Sequence, residues 1–347
     1  MNVGIFLVNY LRCPDFFLPL QKPKAKAMFK VYIPEPAYQG IMKAEEQQAP
    51  NARSYLYKLL KQQPVQLLKA ADNERYKAHP ENVLKNSTAL YLLDVSPAEA
   101  LNIQKRYGVM CQSSASPDIS TLIDINDEHT TEEKEPLGRG WDSVLDSVER
   151  LPSNALILTD RYLFKNTNAN YGNGFDNVRS ILTELLPREL ETNYQITVVY
   201  DKNSIDPLYT FDTIAKRLSA IPAELGYTQP VTVEVLGITD KNDTYYHLHN
   251  RRIVSNYFVV KMDYKLAAFN KTIGTAEQTI IPQILFTEDS LNRRSSPPLK
   301  SLQQVTNALR AFSQSLSSPK TDHNSYLYAV NGQRMERCIA IRNRLIK

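Results

Sequence analysis

At residues 155–159 the chain reads Ala-Leu-Ile-Leu-Thr, and at 194–200 it reads Tyr-Gln-Ile-Thr-Val-Val-Tyr. Short runs rich in aliphatic and β-branched residues are typical of buried strands, and a third such run occupies 231–238. The intervening segments, 176–191 and 211–225, are long enough for helices, and the first repeats its apolar residues at helical spacing. This β-α-β-α-β order predicts a parallel sheet with right-handed crossovers.

Further elements flank this unit on both sides. We predict a helix at 141–150 before it. After it we predict strands around 252–262, near 266–269 and at 280–286, and then a helix at 299–316. The predicted fold class is therefore α/β, with a mostly parallel β-sheet flanked by helices.

A smaller α/β region is expected to precede this fold. Its clearest feature is a β-α-β unit, in which an apolar run at 89–95 is followed by a helix and a short strand at 109–111. Ser96 and Pro97 are typical of the start of that helix, and Gly108 is expected near its end. The remaining predicted elements here are a strand at 28–33 and helices at 52–62 and 64–78.

These patterns divide the chain into four predicted parts. They are an N-terminal α/β region of unknown role at 1–112, an acidic polar linker or loop at 113–139, the main α/β domain at 140–290, and a basic helical C-terminal segment at 291–347. The linker is rich in Ser, Thr and acidic residues, and one strand can fall within it at 121–125.

Composition indicates a globular protein that does not span a membrane. Of the 347 residues, 42% are hydrophobic and 22% charged, which is ordinary for a globular chain, and no apolar run approaches the ~20 residues of a membrane helix. The apolar stretch at 3–8 is short and lacks a basic lead, so we expect a buried strand and no signal peptide. Cys13, Cys111 and Cys338 form no metal or disulfide pattern, which favours a cytoplasmic location.

The C-terminal segment carries an excess of cations. From residue 293 onward, only Asp322 and Glu336 oppose the basic residues Arg293, Arg294, Lys300, Arg310, Lys320, Arg334, Arg337, Arg342, Arg344 and Lys347. A basic surface of this kind can bind DNA or RNA through counterion release, and it can equally be a solvated face.

Candidate site residues follow the predicted strands. Asp160, Arg161 and Tyr162 come directly after the strand at 155–159, at the carboxyl end where ligands bind α/β sheets. His249 and Arg251 are two residues apart, so on a strand they share one face. An imidazole beside a fixed cation suits a phosphate ester.

His247 and His249 could alternatively form half of a metal site. No third ligand is evident in the sequence, so we predict no metal. We predict no other cofactor.

The spacing of His249, Arg251 and Asn256 resembles the His-x-Lys-x4-Asp motif of phospholipase D-like proteins. The histidine is kept, whereas arginine replaces the lysine and asparagine the aspartate. The predicted strand order and the Asp160 strand end are also similar to that family. The resemblance covers about residues 141–290.

The resemblance implies a phosphodiester site. His249 would be the nucleophile, with Glu277 orienting it, and Arg251 would hold the phosphate. Arg252, Asn256 and Asn270 are further candidates for phosphate contacts. Because the chain has one motif, an active enzyme of this kind implies a homodimer that brings two histidines to one phosphate.

Three functions are compatible with these residues. The first is recognition of phosphate groups of nucleic acid with weak or lost catalysis, because the cation is kept and the aspartate is not. The second is a metal-independent phosphodiesterase or nuclease that works as a homodimer. The third is a protein-interaction scaffold without catalysis, because the first third of the chain has no assigned role.

Overall fold

The computed structural model describes the chain in several ranges. They are residues 29–124, 133–136, 151–165, 173–238, 250–263, 266, 277–293, 296–316, 325–328, 335–337 and 339–347. The predicted strand at 3–8, the predicted helix at 141–150 and residues 267–269 of a predicted strand lie outside these ranges.

A small parallel sheet forms the N-terminal part of the described chain. Its strands are β1 (Lys30–Pro34), β2 (Val65–Leu68), β3 (Ala89–Leu93) and β4 (Met110–Ser113), in the order β2-β1-β3-β4 with every pairing parallel. Helices connect the strands: α1 (Glu35–Glu46), α2 (Tyr55–Gln62), α3 (Ala70–Ala78), α4 (Pro80–Val83) and α5 (Pro97–Tyr107).

The predicted β-α-β unit is confirmed as β3, α5 and β4. The Ser96 side chain accepts a hydrogen bond from the backbone N–H of Glu99, which caps α5, and Gly108 ends the helix with a φ of 64°. The predicted helix at 64–78 is wrong in its first part, because residues 65–68 form β2. A short apolar run fits either element, and pairing with β1 decides in favour of a strand.

A larger sheet contains nine strands among the described residues. After β5 (Ile123–Asp124), which pairs elsewhere, its strands are β6 (Glu133–Pro136), β7 (Ala155–Thr159), β8 (Tyr194–Asp201), β9 (Val231–Ile238), β10 (Arg251–Ser255), β11 (Phe258–Met262), β12 (Glu277–Ile284), β14 (Ser325–Tyr328) and β15 (Met335–Arg337). They lie in the order β15-β14-β9-β8-β7-β10-β11-β12-β6.

The centre of this sheet is the predicted parallel unit. Strands β7, β8 and β9 are parallel neighbours, and helices α6 (Gly174–Leu185) and α7 (Phe211–Glu224) connect them. The α/β fold class is confirmed. All other pairings in the large sheet are antiparallel, so the sheet is mixed and a mostly parallel arrangement is limited to its centre and to the small sheet.

Two local predictions differ from the structure. The strand predicted around 252–262 is a hairpin of β10 and β11, because the chain turns at Asn256 and Tyr257. The C-terminal segment is not only helical. Beyond β13 (Phe286–Thr287), α8 (Glu288–Arg293) and α9 (Pro297–Leu316), it adds β14 and β15 to the edge of the sheet at β9.

The two sheets share one hydrophobic core. A continuous buried cluster contains Ile33 of β1, Leu92 of β3, Ile157 of β7 and Leu309 of α9. The Tyr257 hydroxyl donates to the Ala89 carbonyl at 2.8 Å and accepts from the Met110 N–H at 2.7 Å, which ties the β10–β11 turn to the small sheet. Among the helices described, none has the length and hydrophobicity to cross a membrane.

Candidate anion-binding site

The start of β10 lies beside the carboxyl end of β7. The two strands are antiparallel neighbours with Arg252 opposite Thr159, so Arg251 and Asp160 extend from the same end of the pair. The Nε of Arg251 lies 3.6 Å from Oδ1 of Asp160. Two of the residues selected from the sequence are therefore in contact, at the edge where the strand order predicts a ligand site.

Asp160 is a fixed, completely buried carboxylate. Its Oδ1 accepts the backbone N–H of Tyr162 at 2.9 Å, and its Oδ2 accepts that of Leu266 at 3.0 Å. These bonds hold the loop after β7 and the segment at Leu266 together. Asp160 is thus suited to positioning the Arg251 guanidinium, which is 25% exposed.

Cations surround the Tyr162 ring next to this pair. Arg161, Lys165 and Arg251 place their charged groups 5.0, 5.1 and 5.8 Å from the ring centroid, within range for cation–π attraction. The Nε of Arg161 also donates to Oδ2 of Asp201, at the end of β8, at 3.2 Å. Arg161 and Tyr162 therefore belong to the same strand-end cluster as Asp160 and Arg251, as expected from the sequence.

A cavity of about 300 Å³ opens where β10 begins and β11 ends. Arg251, Arg252 and Lys261 line it, together with Asn250, Met262, Asp263 and Ile281. Arg252 and Lys261 are direct cross-strand partners, so their side chains share one face of the sheet. We call the cavity that these three basic residues line the cationic cavity.

Burial changes the acid–base properties of the opposed pair. Desolvation lowers the pKa of the Arg252 guanidinium and that of the Lys261 amine, and the charge of Arg252 lowers the Lys261 pKa further. Arg252 is 7% exposed and Lys261 is half-buried. Two cations facing each other in a partly dry cavity form a favourable place for an anion.

Lys261 was not among the residues selected from the sequence. Its signal is nevertheless visible, because it is the one charged residue in the strand Phe-Val-Val-Lys-Met at 258–262. Lysine is rarely buried without a partner, so a lysine within an apolar strand indicates a site where its charge has a use. The pairing with Arg252 could not be seen, since it depends on the β10–β11 register.

Asn256 does not join the cationic cavity. It lies at the far end of β10 and is completely buried. Its Oδ1 accepts the backbone N–H groups of Asn154 and Ala155 at 3.1 and 3.3 Å, and its Nδ2 donates to the Ser87 carbonyl and to Oδ1 of Asn154 at 2.6 and 2.9 Å. Its carboxamide is used in joining the two sheets and does not reach a phosphate beside Arg251.

The remaining predicted site residues are His247, His249, Asn270 and Glu277. His247, His249 and Asn270 lie outside the described residues. Glu277 begins β12 and pairs with Pro136 of β6 along the backbone. The structure thus brings together Asp160, Arg161, Tyr162, Arg251 and Arg252, and adds Lys261.

Several C-terminal cations are engaged in the fold. Arg310 donates from Nε to the Ile346 carbonyl at 2.8 Å, and Arg344 donates from Nη2 to the Asn193 carbonyl at 2.6 Å. Arg342 pairs with Glu336 at 3.1 Å. These three guanidinium groups are bonded within the fold and do not form a free basic face. The cationic cavity is therefore the stronger candidate for an anion site.

A larger cavity, of about 710 Å³, lies elsewhere, between α5 and the loop after α6. Its wall includes Leu101, Leu151 and Leu185, together with Lys105, which pairs with Glu189 at 3.6 Å. It contains none of the residues selected from the sequence, so its size does not make it the stronger candidate. Within the described ranges, no group of three or more His, Cys, Asp and Glu residues is arranged to hold a metal ion.

Comparison with known proteins gives no family for the chain: no protein-family model matches it, and no curated protein does.

Proposed function

We propose that this protein recognises phosphate groups of nucleic acid through the cationic cavity, with weak or lost catalysis. The observation that carries the proposal is the direct opposition of Arg252 and Lys261 at a cavity that Arg251 also lines. Three cations and one carboxylate, Asp263, leave the described part of this cavity with an excess of positive charge.

The energetics favour an anion between the opposed cations. Like charges directly opposite on neighbouring strands cost about 0.2–1 kcal/mol, and desolvation adds to this cost. A phosphate group bound near the pair would lower this repulsion, and each charge-assisted hydrogen bond to it would contribute about 1.5–3 kcal/mol. Guanidinium groups also match phosphate oxygens in a bidentate geometry that an amine does not provide.

Arg251 contributes a pre-positioned guanidinium. Its Nε lies 3.6 Å from the buried Asp160 carboxylate, its Nη1 donates a hydrogen bond to the Asp263 carbonyl, and the side chain is 25% exposed. Fixing the side chain before binding reduces the entropy lost on binding. Replacing Arg251 with alanine is expected to weaken phosphate binding by roughly one to two orders of magnitude.

Weak or lost catalysis is supported by Asn256. In the phospholipase D-like motif this position is a carboxylate, whereas here it is a buried amide whose oxygen accepts from the start of β7 and whose nitrogen donates to the loop before β3. The motif therefore keeps its cation while its acidic position has a structural use. A homodimeric phosphodiesterase remains the alternative, and it predicts cleavage that resists chelators and disappears in His249→Ala.

The test is fluorescence anisotropy of the full chain with short labelled DNA and RNA at low salt. Arg251→Ala and Arg252→Ala are compared with Lys300→Ala, which removes an exposed cation from α9 and serves as the matched control. The proposal predicts a loss of about tenfold or more in the two arginine variants and little change in the control. Equal affinities in all variants would contradict it, and cleavage of the oligonucleotides by the wild type would favour the phosphodiesterase.

A further inference from the structure

Lys261 combines a reactive group with a cavity of molecular size. Its strand pairs it with Arg252 of β10 on one side and with Ile281 of β12 on the other. All three residues line the same cavity of about 300 Å³, which is large enough for a small molecule. The amine is half-buried, so a ligand in the cavity can reach it.

The surroundings of Lys261 raise the fraction of neutral amine above that of an exposed lysine. Partial removal from water disfavours the charged form, and the neighbouring Arg252 guanidinium adds repulsion, so the pKa of Lys261 lies below its ordinary value. The other charged residues described around the cavity are Arg251 on β10 and Asp263 just beyond β11, and the described wall from β12 is Ile281. A neutral lysine beside another cation is a nucleophile.

Arg252 and Arg251 supply the second half of a binding site. A ligand that carries an anionic group would be drawn to these guanidinium groups and held beside the Lys261 nitrogen. The apolar side of the cavity, which includes Met262 and Ile281, would contact the carbon skeleton of such a ligand. The arrangement suits a small molecule that carries both an electrophilic carbon, for the Lys261 amine, and an anionic group, for the guanidinium groups.

We propose that Lys261 is a covalent capture site for small aldehydes or ketones that carry a phosphate or another anionic group. The lone pair of the neutral amine attacks the carbonyl carbon as the C=O π bond breaks, and the nitrogen loses a proton while the oxygen gains one, which gives a carbinolamine. Loss of water then leaves an imine between the Lys261 nitrogen and the former carbonyl carbon. No oxidant or reductant is required, and hydrolysis reverses the step.

This inference rests on the proposed function for its anion subsite, and on Lys261 alone for its reactivity. Pyridoxal 5′-phosphate is the probe, because it carries both an aldehyde and a phosphate. The full chain is treated with limiting probe near neutral pH and reduced with borohydride, which fixes any imine. The modified lysines are then located by peptide mass mapping.

The expected result is labelling of Lys261 about tenfold faster than of Lys300, which is exposed on α9. Inorganic phosphate should slow labelling of Lys261 and not of Lys300. Arg252→Gln should slow it as well, because the anion subsite is weakened. Uniform labelling of the exposed lysines, with Lys261 no faster than Lys300, would overturn the inference.

A second probe separates this inference from the proposed function. Pyridoxal has the aldehyde and lacks the phosphate. Preferential labelling of Lys261 by both probes at the same rate, without competition by phosphate, would support the reactive amine and contradict the anion site. Oligonucleotide binding that depends on Arg252, without preferential labelling of Lys261, would support the anion site and overturn covalent capture.

Discussion

Arg252 of β10 and Lys261 of β11 lie directly opposite each other in the large sheet. Their side chains share one face and line one cavity with Arg251. Burial keeps both groups partly dry, so their repulsion is less screened than at an open surface. The proposed function depends on this pair, because a phosphate group held near two opposed cations can accept charge-assisted hydrogen bonds from both.

Lys261→Met is expected to change stability and anion binding in opposite directions. Removing the amine relieves the repulsion with Arg252 and keeps most of the side-chain volume, so the free energy of unfolding should rise by about 0.5–1 kcal/mol. Oligonucleotide affinity should fall by about tenfold. Urea denaturation and fluorescence anisotropy measure the two effects. Loss of stability together with unchanged affinity would mean that Lys261 is only a packing residue.

The cost of charging Lys261 predicts a pH dependence of stability. Its pKa is lowered in the folded state from the ordinary value of 10.5, so between the two values the unfolded chain binds more protons. The free energy of unfolding therefore rises with pH between the two pKa values. Below both values, the full cost of burying the charged Lys261 amine is present. The stability advantage of Lys261→Met over the wild type should shrink as the pH approaches 10.5. Urea denaturation at neutral pH and at about pH 10 measures it. An advantage that stays constant would contradict the assignment.

Asn256→Asp places a carboxylate where the phospholipase D-like motif has one, and we expect it to damage the fold without creating activity. A carboxylate cannot donate the bonds that Asn256 makes to the Ser87 carbonyl and to Asn154. A buried, partly unsatisfied charge should cost about 3 kcal/mol. Thermal denaturation tests the cost, with Asn256→Ala as the uncharged comparison. A variant as stable as the wild type that cleaves oligonucleotides would contradict this interpretation of Asn256.

The C-terminal arginines are expected to serve stability more than binding. Arg344 bonds through its guanidinium to the Asn193 carbonyl in a largely buried setting, whereas exposed Arg342 pairs with Glu336 at the surface. Arg344→Ala should therefore lower the free energy of unfolding by about 2 kcal/mol, and Arg342→Ala by less than about 0.5 kcal/mol. Neither should weaken oligonucleotide binding as Arg252→Ala does. A larger loss of binding in Arg342→Ala would return the anion site to the C-terminal segment.

The central fold was predictable because its signals are local. The runs at 155–159, 194–200 and 231–238 are each long and apolar enough to identify a strand, and the helices between them fix parallel pairing. The antiparallel strands on either side were harder to predict. The turn at Asn256 has no glycine or proline to mark it, and the residues that place β14 beside β9 are distant in sequence.

Some residues of the candidate site could likewise be predicted from local sequence, whereas others depend on strand pairing. Asp160 and Arg251 could be selected because strand ends and i, i+2 spacing are visible in the sequence, and their contact follows from the pairing of β7 and β10. Spacing alone also suggested Asn256, yet strand direction carries it to the opposite end of β10. Lys261 was missed because its importance comes from a cross-strand partner that only the register reveals.

The most direct test of the anion site is the salt dependence of oligonucleotide binding. Affinity is measured by anisotropy across a series of salt concentrations for the wild type, Arg252→Ala and the control Lys300→Ala. Loss of one phosphate contact should reduce the slope of log affinity against log salt by about 1 in Arg252→Ala. The account predicts that reduction together with an unchanged slope in Lys300→Ala. Identical slopes in all three proteins, or no binding by the wild type at low salt, would contradict it.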